Sequence, residues 1–271
     1  MRPRTSRPPG YEAARRPSAG GVGRSCSILR SMRGPVALVG AGEFLDTMAE
    51  FDRGLLAATG RKRPRVVILP TASADDGESV FQSWAEKGVA HFSGLGAEVE
   101  PVLVRNACEG RDPSAIQAVG EADLVYLSGG DPRLLLRVFN GSPLGAALSD
   151  AHARGAVIAG CSAGAMAIVG RTMDFRVVPK LHLPLPFPVR WPAALGLVEG
   201  IAVLPHYNAF PEPLAACFAL QAPRGGVVFG IDEHTAVVGR NGAWQVFGAG
   251  RITVWRGRRR ERFRRGEAFR A

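Results

Sequence analysis

One serine, one histidine and a set of glycines carry the chemistry open to this sequence. The run Gly160-Cys161-Ser162-Ala163-Gly164 follows an apolar β-type segment at 156–159 and precedes helix-forming residues. That is G-x-S-x-G on a strand-to-helix turn, the pattern of a nucleophile elbow. Glycines two before and two after the serine let backbones approach closely, and the strained turn exposes the hydroxyl. The helix that follows offers free N–H groups and partial positive charge to a developing oxyanion. Register selects the nucleophile. Around Cys161 the flanking positions are Ala159 and Ala163, whereas around Ser162 they are Gly160 and Gly164. A small-residue turn used only for packing shares this short pattern, so the reading depends on partners.

A serine hydroxyl is a weak nucleophile near neutral pH and needs a base, usually His oriented by a carboxylate. The histidines are His91, His152, His182, His206 and His234. His91 and His152 fall on or just after predicted helices, as surface or core residues. His206 ends a predicted strand, between Pro205 and Tyr207-Asn208, which sets it on the elbow's rim of a parallel sheet. It is the candidate base, with His182 and His234 as weaker contenders. The candidate acids are Asp174, twelve residues beyond Ser162, and the pair Asp232 and Glu233 after a predicted strand at Val227–Ile231. Each could equally form a turn. The oxyanion donors would be the backbone N–H of Ala163 and one from Gly129-Gly130. Glu43, Asp131, Arg133 and Arg176 are candidates to contact a charged substrate.

These residues must be positioned by the elements around them. Strands are expected at Val36–Val39, Arg65–Leu69, 99–104, Leu124–Leu127 and 156–159, with helical pattern between them, clearest at 79–94 and 145–154. Near-continuous apolar strands separated by helices imply a mostly parallel sheet covered on both faces, an α/β fold of three layers. Polar and glycine-rich residues follow the strands, at the carboxyl ends where open α/β sheets place their sites. Residues 171–192 carry five prolines and are expected to form a loop or edge hairpin beside the site. Further strands are expected at 201–204, Val227–Ile231, 235–238, 243–247 and 252–255, with Arg240-Asn241-Gly242 as a hairpin turn.

Composition narrows the class. A chain of 271 residues, 46% hydrophobic, suits a soluble globule. No apolar run approaches the ~18 residues of a bilayer span, so no membrane role is expected. Cys26, Cys108, Cys161 and Cys217 form no C-x-x-C pair, which argues against zinc or a disulfide framework and fits a reducing compartment. The formal charge of +10 is concentrated at the ends. Residues 1–33 hold eight Arg against one Glu, and residues 251–271 hold nine Arg against two Glu. With 31 Arg against three Lys, the arginines read as partly compositional and the ends as solvated tails, with no specific nucleic-acid partner. The expected organisation is a disordered Arg-rich leader at 1–33, one catalytic α/β domain at 34–256 and a basic tail at 257–271. The leader's prolines spoil an amphipathic transit helix, and Met32 offers an alternative start. No secretory apolar region is present, so a cytoplasmic location is the default.

Thr71-Ala72-Ser73, Ser128-Gly129-Gly130-Asp131, the elbow, Pro205-His206 and Gly230-Ile-Asp-Glu-His-Thr-Ala236 occur in that order. Together they resemble the cyanophycinase and aspartyl dipeptidase family of serine peptidases, over roughly residues 35–255. The resemblance implies a flavodoxin-like sheet of the class I glutamine amidotransferase type, with Ser162 as nucleophile, His206 as base, and Gly130 and Ala163 as oxyanion donors. It also implies an acid in a Thr-x-Asp setting after the elbow helix, for which Thr172-Met173-Asp174 is available. Cyanophycinases carry Gln after Gly-Gly-Asp where this chain has Pro132. The expected activity is hydrolysis of a small peptide or amide, an Asp-containing one among the candidates, through an acyl-enzyme, with no cofactor and no metal. A glutaminase-like domain or an inactive binding module of the same fold is the alternative. An α/β-hydrolase ranks lower, since its His normally lies near the chain end. The sequence leaves a homodimer open.

Overall fold

A computed structural model describes residues 33–174 and 188–271. Five short strands, β1 (Val36–Val39), β2 (Arg65–Leu69), β3 (Glu98–Pro101), β4 (Leu124–Leu127) and β5 (Val157–Cys161), lie parallel in the order β3-β2-β4-β5-β1, with the edge strand β3 largely exposed and the other four buried. Their side chains alternate between two cores. Val36, Leu38, Val67, Leu69, Val125, Leu127 and Ile158 enter one, while Ala37, Val39, Val66, Ile68, Tyr126 and Ala159 enter the other. Burial on both faces explains why β1, β2, β4 and β5 read as largely apolar runs. Each fully buried Val, Leu or Ile contributes about 1.5–3 kcal/mol.

Helices α1 (Ala49–Ala58) and α2 (Glu78–Gly94) cover one face through Phe51, Leu55 and Phe92. The other face is covered by α3 (Pro113–Glu121), α4 (Pro132–Phe139), α5 (Pro143–Arg154) and α6 (Ala163–Ile168). The sequence marks the starts of α3, α4 and α5 plainly. Asp112, Asp131 and Ser142 each accept a backbone N–H of the first turn, and a proline follows each cap.

The second half departs from a single sheet. Strands β6 (Val169–Arg171), β7 (Val198–Leu204), β8 (Val227–Ile231), β11 (Arg251–Arg256) and β12 (Arg259–Arg264) form a separate five-stranded sheet. Its apolar side chains Ile201, Val203, Phe229 and Val254 join the same core as α4–α6, and α7 (Glu212–Leu220) packs there through Leu214 and Phe218. Strands β9 (Thr235–Arg240), β10 (Ala243–Gly248) and β13 (Ala268–Arg270) extend the first sheet antiparallel beyond β1. The β9–β10 hairpin turns on Asn241-Gly242, both at positive φ, as expected of a two-residue turn.

Residues 257–271 are not a solvated tail. They build β12 and β13, one in each sheet, and Phe263 stacks on Phe269 at 4.7 Å. Their arginines are answered by carboxylates from elsewhere: Glu212 pairs with Arg260 and Arg262, and Glu50 with Arg265. The high arginine count hid the alternation that makes β12 a strand. The leader expected at 1–33 lies, apart from Arg33, outside the described residues. Among the described residues no helix is long and apolar enough to cross a membrane.

Candidate active site

Three strand ends converge on Ser162. β5 runs directly into it, and Ser162 takes φ 48° and ψ −107°, the turned backbone of an elbow, at the head of α6. The elbow glycine is required by contact. A Cβ on Gly160 would lie 2.5 Å from the Gly164 carbonyl carbon and 2.7 Å from the Ala165 nitrogen. Cys161 points away from this rim and is wholly buried. Burial, and next the charge of Glu43, push its thiol well above the usual cysteine range. Of the two neighbours, it is Ser162 that lines the cleft.

His206 follows β7, with Pro205 between them, and takes a left-handed conformation. Its Nε2 lies 3.0 Å from the Ser162 hydroxyl oxygen, and its Nδ1 lies 2.8 Å from Oε1 of Glu233. The segment is held from below, since the Trp255 indole N–H donates to the Tyr207 hydroxyl at 3.0 Å. The other described histidines are engaged elsewhere. His91 pairs with Asp52, the ring of His152 hydrogen-bonds the Gly34 carbonyl, and that of His234 lies 3.3 Å from the Thr47 hydroxyl. His182 and Arg176 lie outside the described residues.

The carboxylate at His206 is Glu233, not Asp174. Glu233 sits where the chain crosses from β8 in one sheet to β9 in the other, past the loop that follows β1. The His234 N–H donates to the Ala41 carbonyl there, and Gly40 N–H to that of Thr235. The Glu233 N–H donates to Oδ1 of Asn208 at 2.8 Å, tying the acid's backbone to the histidine's own turn. Asn208 is a partner that sequence reading passed over, although an Asn two residues after a strand-end His is a readable turn signal. Asp174 is drawn elsewhere. Residues 171–174 run antiparallel to 190–193 at the edge of the second sheet, with the Asp174 N–H on the Arg190 carbonyl. This edge pairing stops the segment folding back over the rim. Asp232 is engaged on the other side, where its Oδ2 accepts the Arg251 backbone N–H across to β11. Burial raises its carboxyl, against the opposing pull of Arg251.

Gly130 and Ala163 both line a cleft of about 650 Å³ together with Ser162, His206, Phe210 and Met166. Gly130 has φ +138°, and a Cβ there would sit 2.2 Å from the Ala72 carbonyl oxygen. Among the described residues no acceptor is bonded to the N–H of Gly130 or of Ala163. Asp131 is on the cleft wall, where its carboxylate caps α4 and forks onto the Arg133 guanidinium. Burial raises the Asp131 carboxyl, but hydrogen bonds from the Arg133 side chain and backbone outweigh it and leave the group below the usual range. Glu43 is not a cleft residue. It is buried, with one oxygen on the Gly129 N–H and the other on the Cys161 thiol. Among the described residues no group of three or more His, Cys, Asp or Glu is placed to hold a metal.

The sequence model of Peptidase family S51 matches residues 36–247. An "Uncharacterized peptidase YgaJ" of Bacillus subtilis (strain 168) is 27% identical over 180 residues, spanning 65% of this chain and 70% of that protein. The crystal structure of a peptidase from an acI-B1 Actinobacterium superimposes with a TM-score of 0.77 at 29% identity, over 89% of this chain and 98% of the other.

Proposed function

This chain belongs to peptidase family S51, and on that premise we propose that it is a serine peptidase cleaving a small peptide or amide through an acyl-enzyme on Ser162. The observation that carries the reading is the continuous relay from the Ser162 hydroxyl through both ring nitrogens of His206 to Glu233, at 3.0 and 2.8 Å, on the wall of the cleft. His206 Nε2 takes the hydroxyl proton as Ser162 attacks the scissile carbonyl. Glu233 accepts from Nδ1–H, which fixes the tautomer and stabilises the imidazolium as it forms. The carbonyl oxygen, now an anion, is received by the N–H groups of Gly130 and Ala163. His206 then protonates the leaving amine, and a water deprotonated by the same imidazole releases the acyl group. The cleft volume falls in the ordinary range for small-ligand sites of about 300–1,000 Å³, which favours a short substrate over a folded protein chain.

The test is labelling by a fluorophosphonate and turnover of a dipeptide and amide library, with wild type beside Ser162→Ala. Labelling and turnover should both disappear in the variant. Turnover that survives the substitution would remove Ser162 from the chemistry.

A further inference from the structure

We propose that Glu43 is a positioning residue, whose buried carboxylate bridges the oxyanion turn to the nucleophile elbow and sets the distance between them. The inference rests on the Ser162 reading above. Oε1 of Glu43 accepts the Gly129 N–H at 2.9 Å, and Oε2 accepts the Cys161 thiol at 2.8 Å. Gly129 immediately precedes Gly130, and Cys161 immediately precedes Ser162. One carboxylate therefore grips the residue before the donor and the residue before the nucleophile, from a third strand end, that of β1.

The surroundings are built for that grip. Gly129 lies directly against the elbow, so that a Cβ there would sit 3.5 Å from the Ser162 Cβ and 2.9 Å from Oε1 of Glu43. Phe44, next to Glu43, is held at φ 62°, a conformation that bulky residues rarely adopt. Its ring is pinned 5.0 Å from that of Tyr126 and 6.1 Å from that of Phe92. Among the described residues no ion pair reaches Glu43, and its two oxygens are engaged by these two hydrogen bonds. The elevated pKa of Cys161 keeps the thiol a donor and leaves the bridge intact across the neutral range.

Side-chain length is what the bridge uses, and this gives the test. Aspartate is one methylene too short to reach both anchors. Glutamine has the right length, with a carbonyl oxygen for the Gly129 N–H and an amide N–H for the Cys161 sulfur. The readout is the rate of labelling by a fluorophosphonate, resolved into a maximal rate constant and a half-saturating concentration. In that step the Ser162 Oγ–P bond forms, the P–F bond breaks and fluoride leaves, the hydroxyl proton passes to His206, and the phosphonyl oxygen occupies the oxyanion position.

Glu43→Asp and Glu43→Ala should lower the maximal rate about 10- to 100-fold, as expected when oxyanion donors are misplaced. Their half-saturation should stay within about twofold, because ground-state binding does not use the bridge. Glu43→Gln should restore the rate to within about threefold of wild type. Three results overturn the proposal: a wild-type maximal rate in Glu43→Asp, a defect confined to half-saturation, or Glu43→Gln as slow as Glu43→Asp. Should the Asp and Ala variants not fold, Cys161→Ala removes one anchor only. A drop of about 3- to 10-fold in its maximal rate supports the bridge, and an unchanged rate overturns it. Labelling that persists in Ser162→Ala instead removes the nucleophile reading and this inference with it. Inert Ser162→Ala beside an unaffected Glu43→Asp removes the bridge alone.

Discussion

Removing the Glu233 carboxylate should slow the Ser162 reaction about 100-fold, and neutralising Asp174 should leave it unchanged. The magnitude follows from exposure. In a fully buried triad, replacing the acid lowers turnover by about 10⁴ because the imidazole is left in the wrong tautomer. Here the side chains of His206 and Glu233 keep 40% and 39% of their surface exposed. Water can therefore take over acceptance from Nδ1–H when the carboxylate is gone. What is lost is then one charge-assisted hydrogen bond, about 1.5–3 kcal/mol, which at 1.36 kcal/mol per decade is roughly 10- to 150-fold. Glu233→Ala should stay within that range, since the Asn208 tether on the Glu233 backbone keeps the turn in place and confines the loss to the carboxylate. The perturbation should appear in the maximal rate of fluorophosphonate labelling and in peptide turnover, with melting temperature as the control for folding. Asp174→Asn and Asp232→Asn should each stay within about twofold, because the two ring nitrogens of His206 are taken by Ser162 and Glu233. A Glu233→Ala enzyme within threefold of wild type, or an Asp174→Asn enzyme slowed 100-fold, would refute the assignment of the acid.

Two further expectations concern the scaffold. Gly160→Ala should destabilise the chain by about 2–3 kcal/mol through overpacking against the backbone of α6, while Gly54→Ala, on the exposed face of α1 with open space around it, should stabilise it by about 0.5–1 kcal/mol; urea unfolding midpoints in the opposite order would contradict the elbow packing. Burial holds the His152 imidazole below its ordinary pKa, with Arg33 and Arg240 adding to the depression and the Gly34 carbonyl opposing it. The unfolded chain is therefore protonated first, so this contribution to stability is complete above about pH 6.5 and is lost as pH falls through the lower folded value. The unfolding midpoint should drop more between about pH 7.5 and pH 5 in wild type than in His152→Gln, and parallel pH profiles would count against it.

Much of the fold was legible because its strands are buried on both faces and its helices begin with plain capping signals. The apolar runs at Val36–Val39, Arg65–Leu69 and Leu124–Leu127 are strands with the bounds read from sequence. The division of the C-terminal strands between two sheets was not legible, because a strand's composition does not say which neighbour it hydrogen-bonds. That division decides which carboxylate reaches His206. The chain crosses between sheets at 232–234, and the crossing carries Glu233 past the end of β1 to His206. Asp174 looked nearer because it is closer to Ser162 along the chain. Sequence distance misled there, since Thr172 and Asp174 are committed by backbone hydrogen bonds to residues 190–192. Glu43 is a candidate in the sequence to contact a charged substrate. Only the fold shows that it is buried, with Gly129 and Cys161 on its two oxygens.

Backbone strain marks this rim more sharply than composition does. The non-glycine residues at positive φ in the described chain are Phe44, Ser162, His206, His234 and Asn241. Asn241 belongs to a hairpin turn, where asparagine adopts that conformation readily. The other four follow β1, β5, β7 and β8, at the carboxyl ends of four strands drawn from both sheets. Ser162 and His206 are themselves members of the relay, while Phe44 and His234 are the immediate neighbours of Glu43 and Glu233. A left-handed residue at a strand end reverses the chain within one or two positions, which turns the adjoining side chain inward over the rim instead of along the strand. Each such residue costs about 1–3 kcal/mol unless it is glycine, and the buried strands on either side hold it there. Glycine would relieve the strain at all four positions, but at Ser162 and His206 it would delete the hydrogen-bonded side chains. At Phe44 it would release the ring that anchors the Glu43 loop. The cost is thus concentrated where a side chain and a reversed backbone are needed at the same residue, and those residues assemble the site.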